Sequence, residues 1–413
     1  MRSADQAGPA GSAGSESLLK PVEAHLSDIL ATVRPLAPIE LDLEQSLGAT
    51  LAEEVSAPVP LPPFDNSAMD GYAVRADDIS EVPVTLPVID DVAAGSDELR
   101  AVGPGHAVRI MTGAPLPAGA DTVVPVEWTD GGTVSVRINR SAEPGNAIRR
   151  AGEDVQAGEV VLKPGTLIGA AQLGIMAGVG RRRVLARPRP RVVVIATGAE
   201  LVEPGGQLGP GQIWDSNSFT LTAAVREAGG EAFRAGAVGD DPAVLLDRLD
   251  TDLVRADAII TSGGVSMGAY EPVKEALSPL GTVRFEKVAM QPGMPQGFGV
   301  LGDDQVPIFA LPGNPVSSFV SFVLFVRPAL DKMRGLPAGM PESVTACVTG
   351  SLRSPAGRRS YLRGVLAADG TVSPVHGQGS HQLAALASAN ALIMVPEDVT
   401  EVPAGAEVEV IRL

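Results

Sequence analysis

R-V-V-V-I-A, residues 191–196, follows its arginine with an unbroken apolar run, the pattern of a strand buried on both faces of a parallel sheet. Its surroundings repeat the theme. Ser218 to Ala228 reads as a helix stopped by Gly229-Gly230, and E-A-F-R-A-G-A-V at 231–238 as a second strand. Asp241-Pro242 supplies the N-cap and first-turn proline of the next helix. D-A-I-I-T at 257–261 and V-P-I-F-A-L at 306–311 are further strands, with helical segments near 271–278 and 315–331. Strands alternating with helices predict a largely parallel, doubly wound sheet with right-handed crossovers.

Outside this region the alternation is lost. Val22, Leu26, Ile29 and Val33 form one apolar stripe at helical spacing, read as core packing. From about 82 to 138 the chain has short β-rich runs, V-T-L-P-V-I, H-A-V-R-I-M, D-T-V-V-P-V and T-V-S-V-R-I, broken by Gly and Pro, which predict a compact β-domain. After about 340 short strands return in T-A-C-V-T-G, S-Y-L-R-G-V-L, A-L-I-M-V-P and E-V-E-V-I-R-L, so a small β-barrel-like domain is expected there. The fold class is therefore α/β plus β, in several domains. R-R-R-V-L-A-R-P-R-P-R at 181–191 holds six arginines, but its two prolines and the acidic chain favour a solvated connection over a nucleic-acid patch.

With 413 residues and 45% hydrophobic content, the chain is a multidomain globular protein. A net charge of −17 argues against nucleic-acid or anionic-membrane binding, so an anionic substrate must be held by local donors or a metal. Residues 1–17, rich in Gly, Ala, Ser and Pro, read as a disordered tail and not a signal peptide. The longest apolar run, Phe319 to Val326, is too short to span a bilayer, and a cytoplasmic location is expected. Cys347 is the only cysteine, which excludes an intrachain disulfide and a thiolate-rich metal site. Of four histidines, His376 and His381 share H-G-Q-G-S-H, where turn chemistry explains them better than a metal does. A metal, if used, is held by oxygen, which points to magnesium.

Glycine motifs follow the predicted strands: A-T-G-A-E at 196–200, G-D-D at 239–241, S-G-G-V-S-M-G at 262–268 and L-P-G-N-P-V-S-S at 311–318. In an open parallel sheet such turns lie outside the carboxyl ends of the strands, where ligands bind. Glycine lets backbone N–H groups line a phosphate, and a following helix adds its positive end. Each loop alone is explained equally well by tight-turn geometry; their shared location favours the functional reading. Asn314 reads as an N-cap with Pro315 first in the helix. Glu200, Asp240, Asp241 and Glu271 accompany the loops, with Glu153 and Asp154 upstream. Carboxylates beside a polyphosphate make sense when a divalent cation lies between them, although Asp241 is expected simply to cap its helix.

The remaining cluster is P-F-D-N-S-A-M-D-G-Y-A-V-R, residues 63–75. Prolines and Gly71 place Asp70 on a loop edge, where carboxylates suit binding and catalysis. An Asx-turn at Asp65-Asn66 with a solvated Asp70 accounts for the same string. Thr112, in I-M-T-G-A-P, offers a hydroxyl to phosphate or metal.

Residues 63–75 resemble the signature of the molybdopterin molybdenumtransferases, the MoeA and gephyrin E-domain family. Also similar are I-M-T-G-A-P at 110–115, I-R-R-x-G-E-D at 148–154, T-G-x-E-L at 197–201, S-G-G-V-S-x-G at 262–268 and L-P-G-N-P-V-S at 311–317. The resemblance runs from about residue 18 to the end. It implies an enzyme that binds adenylylated molybdopterin, cleaves the phosphoanhydride with magnesium, transfers molybdenum from molybdate to the dithiolene and releases AMP. It also implies a homodimer whose active cleft is built from both subunits, and transient contact with the molybdopterin adenylyltransferase. The implied domains are a split first domain at 18–60 and 149–189, a β-rich domain at 61–148, a MogA-like domain at 190–335 and a C-terminal β-domain at 336–413.

By the same resemblance Asp70, Thr112, Asp154, Glu200 and Asp240 are catalytic, and Asp240, Glu271 and Glu200 hold the metal. Arg149, Ser262, Gly263, Gly264, Ser266, Lys287, Gln291, Pro312, Gly313, Asn314 and Ser317 bind substrate. The chain departs from the family pattern at Ala199, where an Asp is usual, at Glu271, which replaces an Asp, and at Gln291 and Met294, which replace two lysines. Two further readings are a non-catalytic scaffold of the gephyrin E-domain type and a paralogue acting with tungstate or another pterin nucleotide.

Overall fold

Arg191–Thr197 is an inner strand of a six-stranded sheet in the computed structural model, which describes residues 19–96, 101–265 and 271–413. The strand order is Glu231–Val238, Arg191–Thr197, Ala258–Ser262, Val306–Leu311, Pro295–Leu301, Val283–Lys287. The first four are parallel, and the last two add an antiparallel edge. Val192 and Val194 face one core, with helices Val22–Thr32, Asn217–Glu227 and Pro315–Ser321. Val193 and Ile195 face the other, with Pro242–Leu253 and Pro272–Leu277. Burial on both faces is why the strand shows no alternation. The antiparallel edge was not legible in the sequence because Pro295–Leu301 contains two glycines. A Cβ on Gly299 would sit 2.2 Å from the Thr282 carbonyl oxygen, so close strand packing requires the residue that weakens the β pattern.

The described chain divides into two compact units, one of Pro38–Ala186 and one combining Arg187–Leu413 with the segment ending at Ala37. Helix Val22–Thr32 packs in the α/β core, so the expected piece 18–60 is divided after Ala37. In the C-terminal region Arg359–Leu366, Thr371–Pro374, Ser343–Val348, Glu407–Arg412 and Ala391–Val395 pair in that order, and the last pairs back with the first to close a five-stranded barrel. The short strand Met290–Gln291 pairs with Arg359 and Ser360, tying the barrel to the α/β domain beside Gln291.

The other unit contains a five-stranded sheet in the order Thr122–Pro125, Gly71–Val74, Ala107–Ile110, Val84–Val92, Ser135–Ile138. A smaller core gathers Leu51, Val55, Ile168, Met176 and Val184. Part of the arginine-rich segment, read from sequence as a solvated connection, is instead the strand Arg183–Arg187, paired with Ile39–Asp42. Val184 and Ala186 are buried, while Arg183 bonds Asp42 at 2.8 Å and Glu40 at 3.3 Å. The charges concealed a period of two. Among the described residues no helix is long and apolar enough to cross a membrane.

Candidate functional site

The turns after strands Arg191–Thr197, Ala258–Ser262 and Val306–Leu311 pack backbone against backbone. Gly263 has φ +104°, and a Cβ there would lie 2.5 Å from the Thr197 carbonyl oxygen; a Cβ on Gly313 would lie 3.4 Å from the Gly263 Cα. A side chain at Gly263 would push these turns apart. With Asp240, they border a cleft of about 1080 Å³. Among the predicted residues, Glu200, Asp240, Glu271, Ser262, Gly263, Gly264, Gln291, Pro312, Gly313, Asn314 and Ser317 line it. Lys287 is not among its lining residues, and Ser266 lies outside the described residues.

Asn217, which the sequence reading missed, locks the turns together. Its Nδ2 donates to Ser262 Oγ at 2.8 Å and to the Gly313 carbonyl at 2.6 Å. Ser262 Oγ also contacts Ser318 Oγ at 3.1 Å, so this buried hydroxyl serves the loop architecture. Asp215 is 1% exposed and accepts from the Ser218 N–H at 3.0 Å. D-S-N-S ahead of a helical run was the available signal. Asp241 behaves as expected, accepting from the Ala243 N–H at 2.9 Å. Asn314 occupies the N-cap position of Pro315–Ser321 without a side-chain cap bond; its Nδ2 donates to Ser380 Oγ at 3.0 Å.

Electrostatically the cleft is mixed. Glu200 and Asp240 are exposed, and their carboxylates make no hydrogen bond or ion pair among the described residues; Glu271 is half-buried. Among the described residues no group of three or more His, Cys, Asp or Glu side chains is arranged as a metal cage. The donor set still fits magnesium, which is commonly held by one or two carboxylates together with substrate phosphate oxygens. Among the described residues lining the cleft, Arg358 is the only lysine or arginine. It stands beside a barrel loop that contributes Gln378, Ser380 and His381, whereas His376 does not line the cleft. Sequence reading passed over Arg358 because its neighbours G-R-R resemble any basic turn.

The other unit brings Asp70 and Thr112 together across 42 positions. Asp70 Oδ1 accepts from the Thr112 N–H at 2.7 Å and from Thr112 Oγ1 at 2.9 Å. The backbone N–H, followed by the hydroxyl, holds the Asp70 carboxyl below the usual range although it is fully exposed. Gly71 is needed beside it, because a Cβ there would fall 2.1 Å from the Val124 carbonyl oxygen. Asp65 makes no Asx-turn: it accepts from the Ala151 N–H at 2.8 Å and Arg150 Nη1 at 2.6 Å, which hold its pKa down in that order. Arg149 pairs with Asn66 in a two-residue ladder, and the Asp154 N–H donates to the Leu61 carbonyl at 3.0 Å. Arg149 and Asp154 therefore flank the segment that leads to Asp70.

Glycine turns at the carboxyl ends of a doubly wound sheet, bordering a polar cleft and joined to a closed barrel, define a multidomain α/β ligand-binding protein. Residues 193–332 match a probable molybdopterin binding domain, 20–180 the MoeA N-terminal region (domain I and II), and 345–413 the MoeA C-terminal region (domain IV). The chain belongs to the MoeA family of molybdopterin molybdenumtransferases, enzymes of molybdenum cofactor biosynthesis. It is 48% identical to molybdopterin molybdenumtransferase 2 of Mycobacterium tuberculosis over 403 residues, covering 95% of this chain and 99% of the relative. Molybdopterin molybdenumtransferase 1 of the same organism is 42% identical, with 95% and 98% covered. A crystal structure of the molybdopterin biosynthesis MoeA protein from Pyrococcus horikoshii superposes with a TM-score of 0.74 at 29% identity, covering 96% of this chain and all of that one.

Proposed function

We propose that the chain transfers molybdenum from molybdate to adenylylated molybdopterin, with magnesium-dependent cleavage of the phosphoanhydride and release of AMP. The observation that carries this reading is the single cleft in which glycine turns, the carboxylates of Glu200, Asp240 and Glu271 and the Arg358 guanidinium meet. The Gly263 N–H is taken by the Leu311 carbonyl at 3.1 Å, so the backbone N–H groups of Gly264 and Gly313 are the ones that suit phosphate oxygens, with the helix start at Pro315 behind them. Asp240 and Glu271, with Glu200, would hold magnesium, whose charge offsets that of the phosphates. Arg358 supplies the cation expected at Gln291 and Met294 and attracts the oxyanion. Asp70, kept ionised by Thr112, together with Asp154 and Arg149, completes the residues assigned to the reaction. The protein is proposed to act as a cytoplasmic homodimer that receives its substrate from the adenylyltransferase.

The test is incubation of the purified protein with adenylylated molybdopterin, magnesium and molybdate, following AMP and the molybdenum-loaded cofactor. Both products are expected, in equal amounts. AMP without loaded cofactor, or neither product, removes the reading. Replacing molybdate with tungstate decides the oxyanion.

A further inference from the structure

Arg363 lies on barrel strand Arg359–Leu366 and is fully buried. No carboxylate pairs with it among the described residues, and its Nε and Nη1 have no hydrogen-bond partner there. Burial alone pulls its pKa below the usual arginine value. An uncompensated buried guanidinium is costly, and an apolar residue would fill a barrel interior without that cost. What Arg363 does make is directed. Nη2 donates to the Gly377 carbonyl at 2.7 Å and to the Gly379 carbonyl at 3.2 Å. Its backbone engages the same loop: the Arg363 N–H donates to Gln378 Oε1 at 2.9 Å, and Gln378 Nε2 donates back to the Arg363 carbonyl at 2.9 Å.

The loop so held reaches the cleft. Gln378, Gly379, Ser380 and His381 line it. Ser380 is bonded in turn to the start of helix Pro315–Ser321, its carbonyl accepting from the Val316 N–H at 3.0 Å and its Oγ from Asn314 Nδ2 at 3.0 Å. A chain of direct contacts thus runs from the barrel interior to the turn at 312–314.

We infer that Arg363 is a positioning residue: its guanidinium sets the place of loop 377–381 and, through it, the barrel-side wall of the cleft that receives the oxyanion. Two bonds from one planar guanidinium constrain two carbonyls relative to each other, which a lysine does less well and an apolar residue not at all. The oxyanion part rests on the function proposed above; the loop part does not.

The experiment compares wild type, Arg363→Lys and Arg363→Met by hydrogen exchange and by the molybdate dependence of AMP release. In Arg363→Met, exchange is expected to quicken at 377–382 while the barrel strands stay protected. The half-saturating molybdate concentration should rise by about tenfold, with kcat within about twofold of wild type. Arg363→Lys should recover part of both. Wild-type exchange at 377–382 overturns the inference, and so does equal loss of protection throughout the barrel, which would mark a merely structural residue. If the Met variant does not fold, the Lys variant decides: local quickening supports the inference, and wild-type exchange overturns it. If wild type releases no AMP, the proposed function fails and the exchange result alone judges the loop.

Discussion

The two units treat their acidic residues in opposite ways. In the Pro38–Ala186 unit, Asp70 is fully exposed yet satisfied by two donors from Thr112. In the α/β cleft, the Glu200 and Asp240 carboxylates make no hydrogen bond or ion pair among the described residues. A carboxylate with fixed donors keeps its charge and direction, whereas one without them is available to a cation or a substrate donor. Asp70 is thus held in place by the fold, whereas the fold gives Glu200 and Asp240 no donor among the described residues.

The largest effect should come from the carboxylate held in place. Asp70→Asn is expected to lower turnover by about 100-fold or more, while thermal unfolding stays within about 1 kcal/mol of wild type because the residue is on the surface. Early melting with normal activity per folded molecule would make Asp70 structural and erase the contrast. Next come the acids proposed to hold magnesium. Asp240→Ala and Glu271→Ala should each raise the magnesium needed for half-maximal AMP release by about tenfold, with Glu271→Asp milder. Unchanged magnesium dependence in both Ala variants would remove them from the metal.

A smaller effect concerns charge in the cleft. A cation about 4 Å from an anion contributes roughly 1 kcal/mol in water-like surroundings and about 4 kcal/mol at the lower effective dielectric of a cleft. Arg358→Ala should therefore raise half-saturating molybdate at least severalfold, and Gln291→Lys with Met294→Lys should lower it. Titration at two salt concentrations checks both; no change in either variant means the cleft does not read the oxyanion's charge.

The smallest expected effect is in pH dependence. His25 is 3% exposed, lies 3.1 Å from Glu286, packs edge-on against Phe325 and is near Lys20 and Asp28. Burial leads the causes that push its pKa below 6.5. The unfolded chain therefore takes up this proton first as pH falls. The stability contribution is complete above about 6.5 and is lost as pH drops from there towards the folded pKa. Asp70, with a depressed pKa, contributes above the ordinary aspartate value and loses that contribution only in more acidic solution. Melting temperatures from pH 7.5 to 5 should decline for wild type and decline less for His25→Gln. Equal slopes would show that His25 is not the group titrating.

How much of this was legible depended on whether a residue's role is local. The strand 191–197, the Asp241 cap and the glycine turns were readable because an unbroken apolar run, capping and positive φ act within a few residues. Strand Arg183–Arg187 was concealed because it begins and ends on arginine and its Leu185 faces outward, while the acidic partners of Arg183, Glu40 and Asp42, lie more than 140 residues away. Lys287, assigned to substrate binding by resemblance, does not line this cleft, whereas Arg358, just ahead of a barrel strand, does.

From sequence alone came the doubly wound domain, the flanking β-rich regions, the family and eleven of the residues that line the cleft. Folding decided their partners: Thr112 for Asp70, Asn217 for Ser262 and Gly313, Ser380 for Asn314, and the Gly377 and Gly379 carbonyls for Arg363. The physical reason is range. Backbone preference and burial periodicity are written in neighbouring residues, while a hydrogen bond requires two groups within about 3 Å, and only the tertiary fold brings distant segments that close.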